Sequence, residues 1–171
     1  MKLLLSTAIL LGLMHGFSQT YSEKTINVES IGINNGLSQG MINCIFQDHY
    51  GFMWFGTMDG LNRYDGYSFK VFRNDPADNK SISGNFITSI LEDSKGRMWI
   101  GTAFNGLNLF NMETEQFIHF SVDSKPALSS NTVFSVQEDM NGAIWIGTQS
   151  GLNKLIIESD TFKKKVLPPT I

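Results

Sequence analysis

The chain has 171 residues, 42% hydrophobic and 12% aromatic but only 17% charged, a balance that excludes a disordered tail and supports a packed core. Its formal charge is −3 and its one dense basic run is Lys163-Lys164-Lys165, so a nucleic-acid backbone has little to attract it. Sixteen glycines, thirteen phenylalanines and four prolines suit short strands and tight turns better than helices, and they predict an all-β protein.

Residues 1–18 read as a signal peptide. Lys2 supplies the positive start, Leu3 to Met14 the apolar stretch, and Gly16-Phe17-Ser18 a small-x-small site, with cleavage expected after Ser18 or Gln19. No later stretch approaches the roughly 18 apolar residues of a spanning helix, so no membrane span is expected once the peptide is removed. Residues 19–36 are read as an N-terminal strand and lead-in. A strand near Thr25 to Ile31 is expected there, placed to close a ring by completing the last sheet. Cys44 is the one cysteine, so no internal disulfide can form, and it is expected to be a small buried apolar residue.

From residue 37 the chain repeats. Ile42 to Thr57 returns as Ile87 to Thr102 and as Val133 to Thr148, placing Trp54, Trp99 and Trp145 in register. Upstream recur Leu37-Ser38, Ile82-Ser83 and Leu128-Ser129; downstream recur Gly60-Leu61-Asn62, Gly106-Leu107-Asn108 and Gly151-Leu152-Asn153. A period of about 45 residues, with apolar alternation broken by glycine turns, predicts a partial β-propeller of four-stranded blades. Blade 1 is assigned to 37–80, blade 2 to 81–126, blade 3 to 127–166, and a tail to 167–171. In blade 2 the strands are expected near Phe86–Glu92, Arg97–Gly101, Gly106–Phe110 and Gln116–Phe120.

Asp48, Asp93 and Asp139 each stand three residues before a glycine, which assigns them to turn caps rather than to acids or metal ligands. Each tryptophan is followed two residues later by a glycine: Trp54 and Gly56, Trp99 and Gly101, Trp145 and Gly147. The alternation of a strand puts each pair on one sheet face, large beside small, so that neighbouring blades can interlock; Met98 and Ile100 fill the opposite face. Three blades alone leave apolar faces uncovered, so either missing blades of a longer parent chain or self-association is expected to cover them.

The run Glu92-Asp93-Ser94-Lys95-Gly96-Arg97-Met98-Trp99-Ile100-Gly101-Thr102 resembles the signature of the two-component regulator propeller family. Blade 1, with Gly36-Leu37-Ser38, Phe46-Gln47-Asp48 and Asp59-Gly60-Leu61-Asn62-Arg63-Tyr64-Asp65-Gly66-Tyr67, is similar to the opening of the periplasmic sensors in hybrid two-component systems of Bacteroidetes-type bacteria. The resemblance implies a periplasmic sensor module of a Gram-negative bacterium that responds to an oligosaccharide. In that family a membrane helix then leads to a histidine kinase; no such output domain is read in this sequence. Loop residues Asp59, Asn105 and Ser150 are the candidate ligand contacts, beside a simple reading of them as tight turns. No catalytic residue, cofactor or metal site is assigned. The alternative is a partner-binding or structural propeller segment without a small ligand, and a propeller enzyme is the third class.

Overall fold

A computed structural model of the chain describes residues 26–157. The expected signal peptide, the tail, and the segment where a fourth strand of blade 3 would fall lie outside the described residues. Chain contacts divide the protein into residues 1–30 and 31–171. In the first unit, the described residues 26–30 form no strand, and Ile26 and Val28 are exposed. The strand expected near Thr25 to Ile31 is therefore corrected. An extended segment becomes a strand only beside a ladder that takes its backbone groups, and the described residues offer it none.

The second unit opens with a short 3-10 turn at Ile33–Asn35 and then consists of eleven described strands. Strands β1 (Ile42–Gln47), β2 (Met53–Thr57), β3 (Gly60–Tyr64) and β4 (Phe69–Phe72) form one antiparallel sheet in sequence order. Strands β5 (Ile87–Glu92), β6 (Met98–Thr102), β7 (Leu107–Asn111) and β8 (Gln116–Phe120) form the second. The third has three described strands, β9 (Val133–Glu138), β10 (Ile144–Thr148) and β11 (Gly151–Leu155). The blade 2 strands fall within a residue of the sequence expectation.

The sheets stack face on face, and burial follows the stacking. Strand β6, in the middle blade, is buried at every position, whereas β2 and β10 are buried at only some of theirs. Trp54, Leu61 and Phe72 of blade 1 pack with Ile82, Ile87, Met98, Ile100, Phe110 and Phe117 of blade 2. Trp99, Leu107 and Leu109 of blade 2 pack with Val133, Val136, Ile144 and Ile146 of blade 3. The tryptophan face of each blade thus points forward to the next, and the Met98–Ile100 face points back.

Glycine makes this approach feasible. A Cβ on Gly56 would lie 2.7 Å from Ile87 Cγ2, and one on Gly101 would lie 2.7 Å from Val133 Cγ1. Across the ladder from Gly56, Gly101 and Gly147 stand Cys44, Ser89 and Ser135. The Ser89 hydroxyl is buried without a hydrogen-bond partner, so this position selects for small size rather than for a polar contact. Burial at the same position pushes the Cys44 thiol up to about 11, which suits an inert packing residue.

Beside each glycine the first strand pair carries a register shift, leaving Asn43, Thr88 and Phe134 unpaired. Such bulges re-aim a side chain. Asn43 Nδ2 donates to Ile87 O at 2.9 Å, and Thr88 Oγ1 donates to Val133 O at 2.7 Å, each reaching the following blade.

Trp99→Ala is expected to lower unfolding stability by about 3–5 kcal/mol, whereas Ser89→Ala, which removes only an unpartnered hydroxyl, should stay within about 1 kcal/mol of wild type or gain. Urea titration followed by tryptophan emission measures both. A loss below about 1 kcal/mol for Trp99→Ala would show that the indole is not a wedge between sheets.

Candidate ligand face

Two polar networks recur in every blade, and together they frame the loops. In the first, an aspartate serves its turn and its tryptophan at once. Asp48 Oδ1 accepts from the backbone N–H of Tyr50 and Phe52 at 3.0 and 2.9 Å, while Trp54 Nε1 donates to Oδ2 at 2.8 Å. Asp93 does the same for Lys95, Arg97 and Trp99, and Asp139 for Asn141, Ala143 and Trp145. A buried indole N–H without an acceptor is costly, and the cap supplies it. Gly51, Gly96 and Gly142 close these turns at φ of +92°, +73° and +80°, a region costly for residues with a Cβ. Arg97 adds an ion pair to the buried Asp93 at 2.6 Å.

The second network holds the opposite edge. Ser38 N–H donates to Asn62 Oδ1 at 2.9 Å, and Asn62 Nδ2 returns a bond to Ser38 Oγ at 2.8 Å. Ser83 with Asn108 and Ser129 with Asn153 repeat the exchange. Thr57 Oγ1 then donates to Gly60 O at 3.0 Å and accepts from Asp59 N–H at 2.9 Å. Thr102 treats Gly106 and Asn105 alike, and Thr148 treats Gly151 and Ser150 alike.

The three residues chosen from sequence as ligand contacts, Asp59, Asn105 and Ser150, therefore hold equivalent places in three threonine-braced turns. Two of these turns are also pinned to the following blade, because Gly60 N–H donates to Asn85 O and Gly106 N–H to Asn131 O, both at 2.8 Å. The turns consequently line one edge of the array. The Asp59 carboxylate is engaged by Arg73, at 2.9 Å from Oδ2. The Asn105 side chain lies over Gly84, where a Cβ would sit 2.7 Å from Asn105 Cγ.

Beside them project two apolar side chains of the same connections, which the sequence also offered as contacts through Met58-Asp59 and Phe104-Asn105. Phe104 is 68% exposed, its ring edge-on to Phe86 at 6.0 Å, and Met58 is 41% exposed. Blade 3 carries Gln149 at the corresponding place. A separate cleft of about 290 Å³ lies between blades 2 and 3, lined by Leu107, Phe120, Leu128, Ile146 and Leu155 with Lys154 at its side. Among the described residues no cluster of three or more His, Cys, Asp or Glu side chains is arranged to hold a metal, and no helix is long and apolar enough to cross a membrane.

Sequential antiparallel sheets, stacked face on face at a fixed repeat, define an array of β-propeller blades. The family model described as two component regulator propeller matches residues 36–59, 81–104 and 127–150, one stretch in each of the three described sheets' repeats. Histidine kinase P4 of Formosa agariphila is 53% identical over 49 residues, which is 29% of this chain and 4% of that kinase. PorZ, a surface component of the type-IX secretion system of Porphyromonas gingivalis, superposes with a TM-score of 0.57 at 24% identity, over 68% of this chain and 17% of its own, and shares the blade fold. The extracellular domain of a B. thetaiotaomicron protein assigned to the hybrid two component systems is 21% identical over 75% of this chain and 26% of its own, with a TM-score of 0.48. The chain thus spans about a quarter or less of each of these proteins.

Asp139 is the most exposed of the three caps, and its carboxyl is held down to about 2 by the Trp145 indole first and the Ala143 N–H next. Because the folded value is lowered from 3.8, the stability this group contributes is fully present above that pH and is lost as pH falls through about 2. A carboxyl-detected NMR titration should place its midpoint near 2, and Asp139→Asn should flatten the acid limb of the stability curve. A midpoint at the ordinary 3.8 would contradict the indole contact.

Proposed function

We propose that the chain is a non-enzymatic sensor module, the N-terminal part of a two-component signal transduction regulator exported to the periplasm, and that its ligand is an oligosaccharide. The observation that carries the reading is the threefold match to the two component regulator propeller, in register with the three sheets. The local identity to a histidine kinase supports the signalling context. The turn edge supports the ligand class: exposed Phe104 offers an aromatic face beside the polar side chains of Asn105 and Asp59, and sugars are held by such a mixture of ring contact and placed polar groups.

A second reading, a partner-binding or structural propeller segment without a small ligand, is favoured by one observation. Leu152 is 65% exposed on a sheet face whose counterparts Leu61 and Leu107 are fully buried.

Thermal unfolding in the presence of fragments from several glycan classes separates the two. A ligand present at about 100 times its Kd should add about 2.7 kcal/mol of stability. Phe104→Ala is expected to abolish that gain while leaving the unliganded midpoint near wild type, because the ring is exposed. Failure of every glycan class to raise the midpoint would overturn the oligosaccharide assignment and leave the partner-binding reading.

A further inference from the structure

Two turns and the connection between blades 1 and 2 meet at Asn85. Its backbone O accepts from Gly60 N–H at 2.8 Å, which brings in the turn that carries Asp59. Its Oδ1 accepts from Asn74 N–H at 2.7 Å, which brings in Arg73 from just beyond β4. Before it in the chain stands Gly84, under the Asn105 side chain, where a Cβ would sit 2.7 Å from Asn105 Cγ. After it stands Phe86, whose ring meets the exposed Phe104 edge-on at 6.0 Å. One residue thus gathers a carboxylate, a guanidinium, a carboxamide and an aromatic ring. Blade 2 lies in front of the Asp59 turn and blade 3 in front of the Phe104 turn, so these side chains are exposed at joints that have both sheets in place.

The frame is common to the array, but its charges are not. At the next joint Asn131 holds the same two amides, Gly106 N–H at 2.8 Å and Val122 N–H at 2.9 Å. There Asn105 stands where Asp59 does, and Ser121 where Arg73 does. An equivalent joint is therefore built without the Asp59–Arg73 pair, which has no framing duty. Arg73 Nε and Nη2 donate to Asp59 Oδ1 and Oδ2 at 3.3 and 2.9 Å, and both side chains stay nearly half exposed.

A carboxylate has about four acceptor sites and a guanidinium about five N–H donors, so their mutual bonds leave acceptors and donors side by side at the surface. A hydroxyl both donates and accepts, and two neighbouring hydroxyls on one ring fit such a pair. An anionic group does not: it could take Arg73 only by standing against the like charge of Asp59. Phe104 supplies the apolar half, because the negative face of an aromatic ring attracts the positively polarised C–H bonds on the face of a sugar ring.

Resting on the oligosaccharide reading above, we propose that this patch is a subsite for a neutral sugar with neighbouring hydroxyls. Phe104 lies against the ring face, Asp59 accepts from the hydroxyls and Arg73 donates to them. Asn85 is the positioning residue that holds the two sides together.

Titration calorimetry of the full chain tests this with two panels: neutral gluco-, galacto-, manno- and xylo-oligosaccharides, and anionic oligogalacturonates and oligomannuronates. A neutral class is expected to bind at least about tenfold more tightly than either anionic class. Asp59→Asn combined with Arg73→Ser reproduces the side chains of the next joint, so the variant is expected to keep a thermal midpoint near wild type, as the loss of an exposed ion pair permits. Its affinity for the neutral sugar is expected to fall more than about tenfold, since charge-assisted bonds are lost. Unchanged affinity in the variant would overturn the subsite and leave the oligosaccharide reading standing, and so would an anionic class that binds as well as the neutral one. A midpoint lowered by several degrees would overturn it too, by showing that the pair serves the fold. Failure of both panels to bind would overturn the subsite and the oligosaccharide reading together.

Discussion

A blade of this protein has two apolar faces and can cover neither of them; that constraint organises the rest of the structure. The solution is a match of shapes between unlike faces. Trp54 and Trp99 present a bulk beside a glycine, and the next sheet returns Ile87 or Val133 into the glycine gap. Burying one such aliphatic side chain contributes about 1.5–3 kcal/mol, so each joint, with several of them, outweighs any single polar contact across it. Close packing also makes the joint intolerant of size, which is why the cross-strand partner of each glycine is a cysteine or serine with little or no polar role.

The polar networks refine this packing rather than drive it. Each aspartate satisfies two turn amides and the indole N–H, so the large side chain that the joint requires enters the core with its polar atom paired. Each serine, asparagine and threonine set locks the other edge of the same sheet, and the turn it braces donates to the next blade through Gly60 or Gly106. Bonds within a blade therefore fix where the bonds between blades fall. The same register then recurs at every joint without any contact longer than one blade.

Much of this was legible in the sequence because a repeat reports its own structure several times. The blade 2 strands, the turn role of Asp93 and the shared face of Trp99 and Gly101 follow from period-two alternation and glycine spacing, and the structure agrees with each. What stayed hidden is of two kinds. Partnerships between recurring residues were invisible: Ser38 and Asn62 both repeat, yet nothing in their spacing says that they bond each other across 24 positions. The indole bond to Asp48 was missed for the same reason. The strand expected near Thr25 to Ile31 failed differently, since its alternation was read without asking which ladder could take its backbone groups. The loops around Asp59, Asn105 and Ser150 are the intermediate case: their position on one edge was readable, but the threonine bonds that occupy their amides were not.

This division bears on where recognition can reside. Residues present in all three copies have structural duties in all three, so they leave little freedom for a ligand. Positions that differ between copies on a repeated frame have no such duty. Met58, Phe104 and Gln149 each precede the residue whose amide donates to the bracing threonine, across a turn one residue longer in blade 2, yet one is a thioether, one an aromatic ring and one a carboxamide. A backbone braced this closely can change its tip side chains without disturbing the joint behind them, because the turn is held through its amides and the packing lies on the sheet faces. In the proposed sensor, specificity would therefore be carried by the departures from the repeat, while the repeat itself carries the scaffold.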